Sequence, residues 1–299
     1  MNQPAATPAP KTLRAAVVMA SAGRPELLSA VFGGLAVQTV SSFTAVASVP
    51  DEKSLPADIP AIWRVVSGTR GLAAQRNAGL DAIEDADIVF FFDDDAVIRE
   101  DYLKNGLQFF ADHPDVAGIT GRVLLDGATS GEISPADADA ALAASFSTAL
   151  DGVWRPTREL YGCNFAYRLS VATELRFDGR LPLYSWLEDH DFARRLAPFG
   201  PLAEVDDCVI VHRAASSGGR QAHGRLGYSQ MMNPLYLWRK GSFPAWLAAW
   251  EIFRPMSKNI LYSIAGKEGP WRRERLRGNL LAVGDAVRGR ITPERITEL

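Results

Sequence analysis

The stretch that constrains this chain most is Ile88-Val89-Phe90-Phe91-Phe92, followed at once by Asp93-Asp94-Asp95. Five apolar residues, rich in β-branched and aromatic types, run without a polar interruption. That is the pattern of a strand buried on both faces of a parallel sheet. In open α/β sheets, ligands gather just beyond the carboxyl ends of the strands, where these carboxylates fall. Three adjacent negative charges repel one another. A divalent cation carrying phosphate oxygens is the natural partner, because hard oxygen ligands suit magnesium or manganese. Taken alone, an acidic turn or a helix start would explain the same residues.

The preceding elements supply the sheet. Leu13–Ala20 predicts a buried strand, and Ser21-Ala22-Gly23-Arg24-Pro25 a tight turn into a helix running to about Gln38. Such a turn leaves backbone N–H groups beside the strand end, ready for an anion or a base edge. A second strand, Phe43–Val49, ends at Pro50-Asp51; a third, Trp63–Val66, leads through Gly68 and Gly71 to a helix over Leu72–Ile83. Strands alternating with helices predict an α/β fold with a mostly parallel sheet flanked by helices.

Beyond Asp95, the pattern predicts a helix carrying Leu107, Phe109 and Phe110, then a strand over Val116–Val123. Residues 126–157 are rich in Ala, Ser, Asp and Gly, and are expected to form an irregular excursion or a partly ordered loop able to cover an active site. Tyr161–Arg168 reads as a strand. Leu183–Leu196 reads as a helix opened by acids, with Asp189 at its exposed N-terminal end and His190 and Asp191 as surface or capping residues. A strand over Cys208–Val211 delivers His212.

Composition separates the rest. Residues 1–212 hold 17 basic and 29 acidic residues, whereas residues 213–299 hold 15 and 6, so a positive segment follows an acidic one. Two cysteines, Cys163 and Cys208, without CxxC spacing suit a reducing cytoplasm and argue against zinc. Residues 1–12, rich in Ala and Pro, read as a disordered tail rather than a secretory signal, and no apolar run is long enough to span a bilayer. Residues 213–240 read as a flexible polar segment. Phe243, Trp246, Leu247, Trp250 and Phe253 share one helical face, and Pro255 is expected to end or kink that helix. Trp271–Arg277 starts a basic helix. These C-terminal helices either lie on anionic lipid, giving a cytoplasmic protein peripheral on the inner face of the membrane, or simply pack over the sheet. No nucleic-acid partner is expected.

The pieces Ala20–Pro25, Gly71–Leu80, Asp93-Asp94-Asp95, Trp186-Leu187-Glu188-Asp189 and Val211-His212 occur in an order and spacing that resembles a family-2 glycosyltransferase of the GT-A fold, over roughly residues 13–213. The implied organisation is a tail at 1–12, a glycosyltransferase domain at 13–213 and a basic helical extension at 214–299. The resemblance implies inverting transfer of a sugar from a nucleotide-sugar donor to a glycan or lipid-linked acceptor, in the setting of bacterial exopolysaccharide or cell-envelope glycan assembly. It assigns donor binding to Ser21, Ala22, Gly23, Arg24, Asp51, Arg76, Asn77, Asp93 and Asp94. Mn²⁺ or Mg²⁺ would be held by Asp93 and Asp95 of the DXD-type cluster, with His212. Asp189 would be the general base, its proton affinity raised by Glu188, and Trp186 would stack on the acceptor sugar.

Other classes fit less well. A nucleotidyltransferase needs a Gly-rich phosphate loop with a basic residue after the first strand, and this turn has one Gly before Arg24-Pro25. An aspartyl phosphatase needs an acid there, and none is present. A non-catalytic nucleotide-sugar or glycan-binding protein on the same fold is the remaining alternative, against which the Glu188-Asp189 pair speaks.

Overall fold

In the computed structural model, residues 12–40, 42–147, 151–215, 221–264 and 268–299 are described. Residues 1–11 of the expected tail and the Gly218-Gly219 pair lie outside them. The described strands form one sheet. Its N-terminal half comprises β1 (Ala15–Ala20), β2 (Thr44–Val49), β3 (Trp63–Ser67) and β4 (Ile88–Asp93), in the order β3-β2-β1-β4 and parallel throughout. Helices α1 (Pro25–Ala36) and α2 (Leu72–Asp81) make the crossovers. The sheet is mixed beyond β4. β5 (Ala96–Ile98), β6 (Gly118–Asp126), β7 (Trp154–Thr157), β8 (Asn164–Arg168) and β9 (Leu202–His212) extend it as β4-β8-β6-β9-β5, with β7 also on β9.

The central strand behaves as its sequence dictates. Ile88, Phe90 and Phe92 enter one core cluster with α1 and α3 (Tyr102–Asp112), while Val89 and Phe91 enter a second on the other face. Both faces are dry, so the polar chain begins only where the strand ends. Register fixes what meets there: Ala20 pairs with Asp93, and Asp126 pairs with His212.

Several expectations are corrected. Residues 126–157 are not an irregular excursion. β6 runs to Asp126, the short helix α4 (Gly127–Ser130) follows, and then α5 (Pro135–Ser145) and β7, with residues 148–150 outside the described set. Ser134 caps α5 by accepting from the Asp137 N–H at 3.1 Å, and Ala138 and Leu142 seat it on Val209 and Val211. The Ala-rich composition that suggested a loop is therefore a helix with a small buried face.

The acid-opened helix α6 spans Glu188–Leu196, not Leu183–Leu196. Leu183, Ser185 and Leu187 all have positive φ, at 60°, 53° and 70°. Left-handed backbone at three non-glycine residues persists only where surroundings impose it. Here Leu183 C=O accepts from Leu72 N–H at 2.8 Å, Ser185 Oγ accepts from Ala73 N–H at 3.2 Å, and Trp186 C=O accepts from Asn233 at 2.9 Å. The segment is thus a strap pinned between α2 and the C-terminal helices.

Residues 213–240 are likewise not a flexible segment over their described length after 221. Helix α7 (His223–Lys240) runs through them and buries Leu226, Tyr228, Met232 and Leu237. Pro255 does not end α8 (Ala245–Ser263), which continues because Leu247, Ala248 and Asn259 are anchored on either side of it. Helix α9 (Gly269–Val287) completes a three-helix layer with α7 and α8. This layer rests on the strap and on α6: Leu181 and Leu187 pack with Tyr236, Leu237, Phe243 and Leu247, and Lys240 Nζ bonds Asp178 at 2.7 Å and Asp191 at 2.8 Å. Asp191 is therefore fully buried and ion-paired, not a surface residue. No described helix is long and apolar enough to cross a membrane.

Candidate active site

The end of β4 places three carboxylates in three environments. Asp93 is partly exposed and accepts from Arg76 Nη2 at 3.0 Å, while its N–H donates to Cys163 C=O at 3.2 Å. Asp94 is buried, accepts from Ser21 Oγ at 2.5 Å, and is ion-paired with Arg24. Burial pushes its carboxyl up to about 7, against the pull of Arg24. Asp95 accepts from the Ala215 N–H at 2.9 Å and lies 3.6 Å from both Arg24 and His212 Nε2. Arg24, at the start of α1, thus offsets part of the mutual repulsion.

Asp93, Asp95 and His212 each present one ligand atom within 4.8 Å of the others. His212 is oriented for that role by a residue the sequence did not single out. Its Nδ1 lies 2.8 Å from Asp126 Oδ1, and Asp126 also accepts from Tyr161 Oη at 2.8 Å. A carboxylate there can only accept, so Nδ1 carries a proton and Nε2 is the nitrogen that faces Asp95 and would serve as the ligand atom in the neutral ring. Burial works to lower the imidazole pKa, but the Asp126 bond and the nearby Asp95 and Asp93 charges outweigh it and raise it. Two carboxylate oxygens and an imidazole fit a divalent cation, and the nitrogen suits Mn²⁺ better than Mg²⁺.

The turn after β1 is held by side chains from two neighbours. Gly23, at φ 69°, donates its N–H to Ser54 Oγ at 2.9 Å, and that hydroxyl donates to Asp51 Oδ1 at 2.9 Å. Buried Gln75 donates to Ser21 C=O at 2.7 Å and Ser48 C=O at 2.9 Å, locking β1 and β2 at their carboxyl ends. Ser21, Ala22, Gly23, Arg24 and Asp51 therefore frame one edge of the carboxylate cluster. Asp51 is exposed beside it.

Arg76 does not stand on that edge. Its side chain is 1% exposed, boxed by the rings of Phe91, Phe165 and Phe177 at 5.4–5.7 Å. Its guanidinium bonds Glu188, Asp93 and Gly162 C=O, the last at 2.6 Å. Both terminal nitrogens are thus engaged by protein groups rather than facing the edge framed by the β1 turn. Asn77 is also a packing residue: it donates to Phe177 C=O at 2.9 Å and accepts from Phe177 N–H at 2.7 Å.

Through Arg76, the donor-side Asp93 is tied to Glu188 and hence to the start of α6. Burial raises Glu188 to about 8, with Arg76 working against it, and its second oxygen has no partner among the described residues. Asp189, expected at an exposed helix end, is half-buried. It accepts from the Gly162 N–H at 2.9 Å and the His190 N–H at 2.9 Å. A Cβ at Gly162 would lie 2.9 Å from Asp189 Oδ2, so only glycine allows this approach. Trp186 is half-buried, packs with Tyr184 at 6.3 Å between ring centroids, and its buried indole N–H has no partner among the described residues.

Residues 57–176 match the family model described as glycosyl transferase family 2. The fold is similar to mannosyltransferase PcManGT from Pyrobaculum calidifontis in complex with GDP-Man and Mn²⁺, at 16% identity and a TM-score of 0.55, covering 93% of this chain and 81% of that one. It is also similar to S. aureus TarS 1-349 in complex with UDP-GlcNAc, at 13% identity and TM-score 0.53, over 96% of this chain and 84% of that one. No curated protein sequence matches the chain. The family match and the shared GT-A fold bear out the resemblance to a family-2 glycosyltransferase read from the sequence.

Proposed function

We propose that this protein is an inverting, metal-dependent glycosyltransferase that moves a sugar from a nucleotide-sugar donor to a hydroxyl of a glycan or lipid-linked acceptor. The observation that carries the reading is the facing of two groups across the carboxyl edge of the sheet. Asp93, Asp95 and His212 stand on one side and Asp189 on the other, joined through Arg76 and Gly162. The relatives of this fold caught with GDP-Man and Mn²⁺ or with UDP-GlcNAc agree with such a donor.

In this reading Asp93, Asp95 and His212 hold Mn²⁺ or Mg²⁺, which when bound supplies Lewis-acid neutralisation of the departing diphosphate. Ser21, Ala22, Gly23 and Asp51 line the nucleoside side, and Arg24 and Asp94 keep the turn and the cluster in register. The acceptor oxygen attacks the anomeric carbon, and the bond from that carbon to the diphosphate oxygen breaks with its electron pair. Asp189 takes the hydroxyl proton. Its two N–H bonds, from Gly162 and His190, fix the carboxylate while leaving lone pairs for the acceptor. Glu188 anchors the helix start through Arg76 rather than touching substrate. In the same reading the half-buried ring face of Trp186 stacks on an acceptor sugar. Residues 13–213 would form the catalytic unit, and 214–299 the extension that buttresses α6.

Asp189→Asn tests this. Sugar transfer is expected to fall by three orders of magnitude or so, with donor affinity unchanged. Unchanged transfer would remove Asp189 from the mechanism, and absence of any transfer by the wild type with any donor it binds would favour the non-catalytic binder.

A further inference from the structure

Helix α8 has two faces with different surroundings. Leu247, Ala248, Glu251 and Asn259 are buried. The first two pack with Leu187, Tyr236 and Phe243, while Asn259 bonds Gln230 of α7 and Asn279 of α9. At about 100° per residue, Trp246, Trp250, Phe253, Ile260, Leu261 and Ile264 all fall within an arc of about 100° on the opposite side. Each is exposed, from 46% for Ile260 to 81% for Ile264. At about 1.5 Å per residue the stripe is about 27 Å long. Scattered apolar side chains are normal on a surface, but a stripe of this size, interrupted only by Ser257, marks a contact.

The charges beside it select the partner. Glu251, the one acidic residue of α8, is buried, whereas Arg254 and Lys258 are exposed along the edge of the stripe. Arg273 reaches its far end, donating to Ser263 C=O at 3.0 Å. A second copy of this chain on the stripe would bring these cations together. Anionic headgroups would instead pair with them while the rings and aliphatic chains enter the acyl boundary, the place tryptophan favours.

We propose that the outer face of α8 lies flat on an anionic phospholipid surface. The helix is amphipathic and no described helix spans a bilayer, so the contact is peripheral. The buried side of α8 packs on Leu187, next to Glu188 and Asp189, so the lipid surface and the candidate base lie on one rigid unit. This proposal does not rest on the transferase reading, and its test reads binding alone.

The test is co-sedimentation of the full chain with phosphatidylcholine vesicles, with and without phosphatidylglycerol, at low and high salt. The comparison uses Trp250→Glu/Phe253→Glu and Arg254→Glu/Lys258→Glu, each checked for an unchanged thermal midpoint. Wild type is expected to sediment with the anionic vesicles only, and less at high salt. The apolar variant should bind roughly tenfold more weakly or worse, and the basic variant should lose binding at low salt. No sedimentation of wild type with anionic vesicles at low salt would overturn the proposal, as would equal binding by the Trp250→Glu/Phe253→Glu variant. So would a dimer in sedimentation equilibrium that these same substitutions dissociate, which would make a second copy the occupant.

Discussion

Arg76 donates to Glu188 in a pair that is buried on both sides, with side-chain exposures of 1% and 4%, and that links the end of β4 to the start of α6. The guanidinium also holds Asp93 and the Gly162 carbonyl. One cation thereby sets the distance between the donor-side carboxylates and the candidate base. Removing Arg76 leaves Glu188, Asp93 and the Gly162 carbonyl without the donor that satisfies them at a buried position. Arg76→Met is expected to lower unfolding free energy by about 3–5 kcal/mol, measured by urea titration. A loss under about 1 kcal/mol would show that the pair is solvated in solution.

Gly162 tests the positioning of Asp189 without touching its charge. In Gly162→Ala the new methyl must displace the Asp189 carboxylate, because the backbone approach leaves 2.9 Å. We expect kcat to fall on the order of a hundredfold with nucleotide affinity retained. Unaltered kcat would mean that the acceptor proton leaves by another route.

Glu188 gives a pH signature. Its folded value of about 8 exceeds the unfolded 4.5, so between these the native state holds a proton that the unfolded chain releases. This contribution to stability is complete below the unfolded value and is lost as pH rises toward 8. The slope is up to about 1.4 kcal/mol per pH unit, falling with pH. Glu188→Gln removes the titration, so its unfolding free energy should decline less between pH 5 and 8 than that of wild type. Parallel slopes would show that Arg76 keeps Glu188 ionised throughout.

Asp126 acts on the metal through His212. Asp126→Asn weakens the hold on the Nδ1–H, and affinity for Mn²⁺ in the presence of nucleotide is expected to fall roughly 10–100-fold. Titration of Mn²⁺ followed by its electron paramagnetic resonance reads this directly. An unchanged affinity would mean that His212 is no ligand.

Local signals carried the half of the sheet nearest the chain start. The apolar run of β4, its abrupt acidic end and the alternation of strands with helices are set by neighbouring residues, and they placed Asp93, Asp94 and Asp95 correctly at the sheet edge. What sequence could not reveal is set by distant contacts. Arg76 reads as a donor contact in the sequence, and its enclosure by Phe91, Phe165 and Phe177 arises only from the convergence of distant elements. The strap at Leu183–Leu187 read as helix because its positive φ angles are imposed by α2 and α7, not by glycine. Asp126 was missed because only the pairing of β6 with β9, which runs beyond Val123 through Leu124 and Leu125, carries it beside His212. Pro255 was overweighted, since buried contacts on both sides carry α8 through it.

The donor site itself is tested most directly by calorimetric titration of UDP, GDP and dTDP, with and without Mn²⁺, into wild type and Asp95→Ala. The account predicts that one nucleotide binds wild type tightly only when Mn²⁺ is present, and that Asp95→Ala abolishes that binding. Failure of all three to bind wild type under any condition, or equal binding by Asp95→Ala, would contradict it.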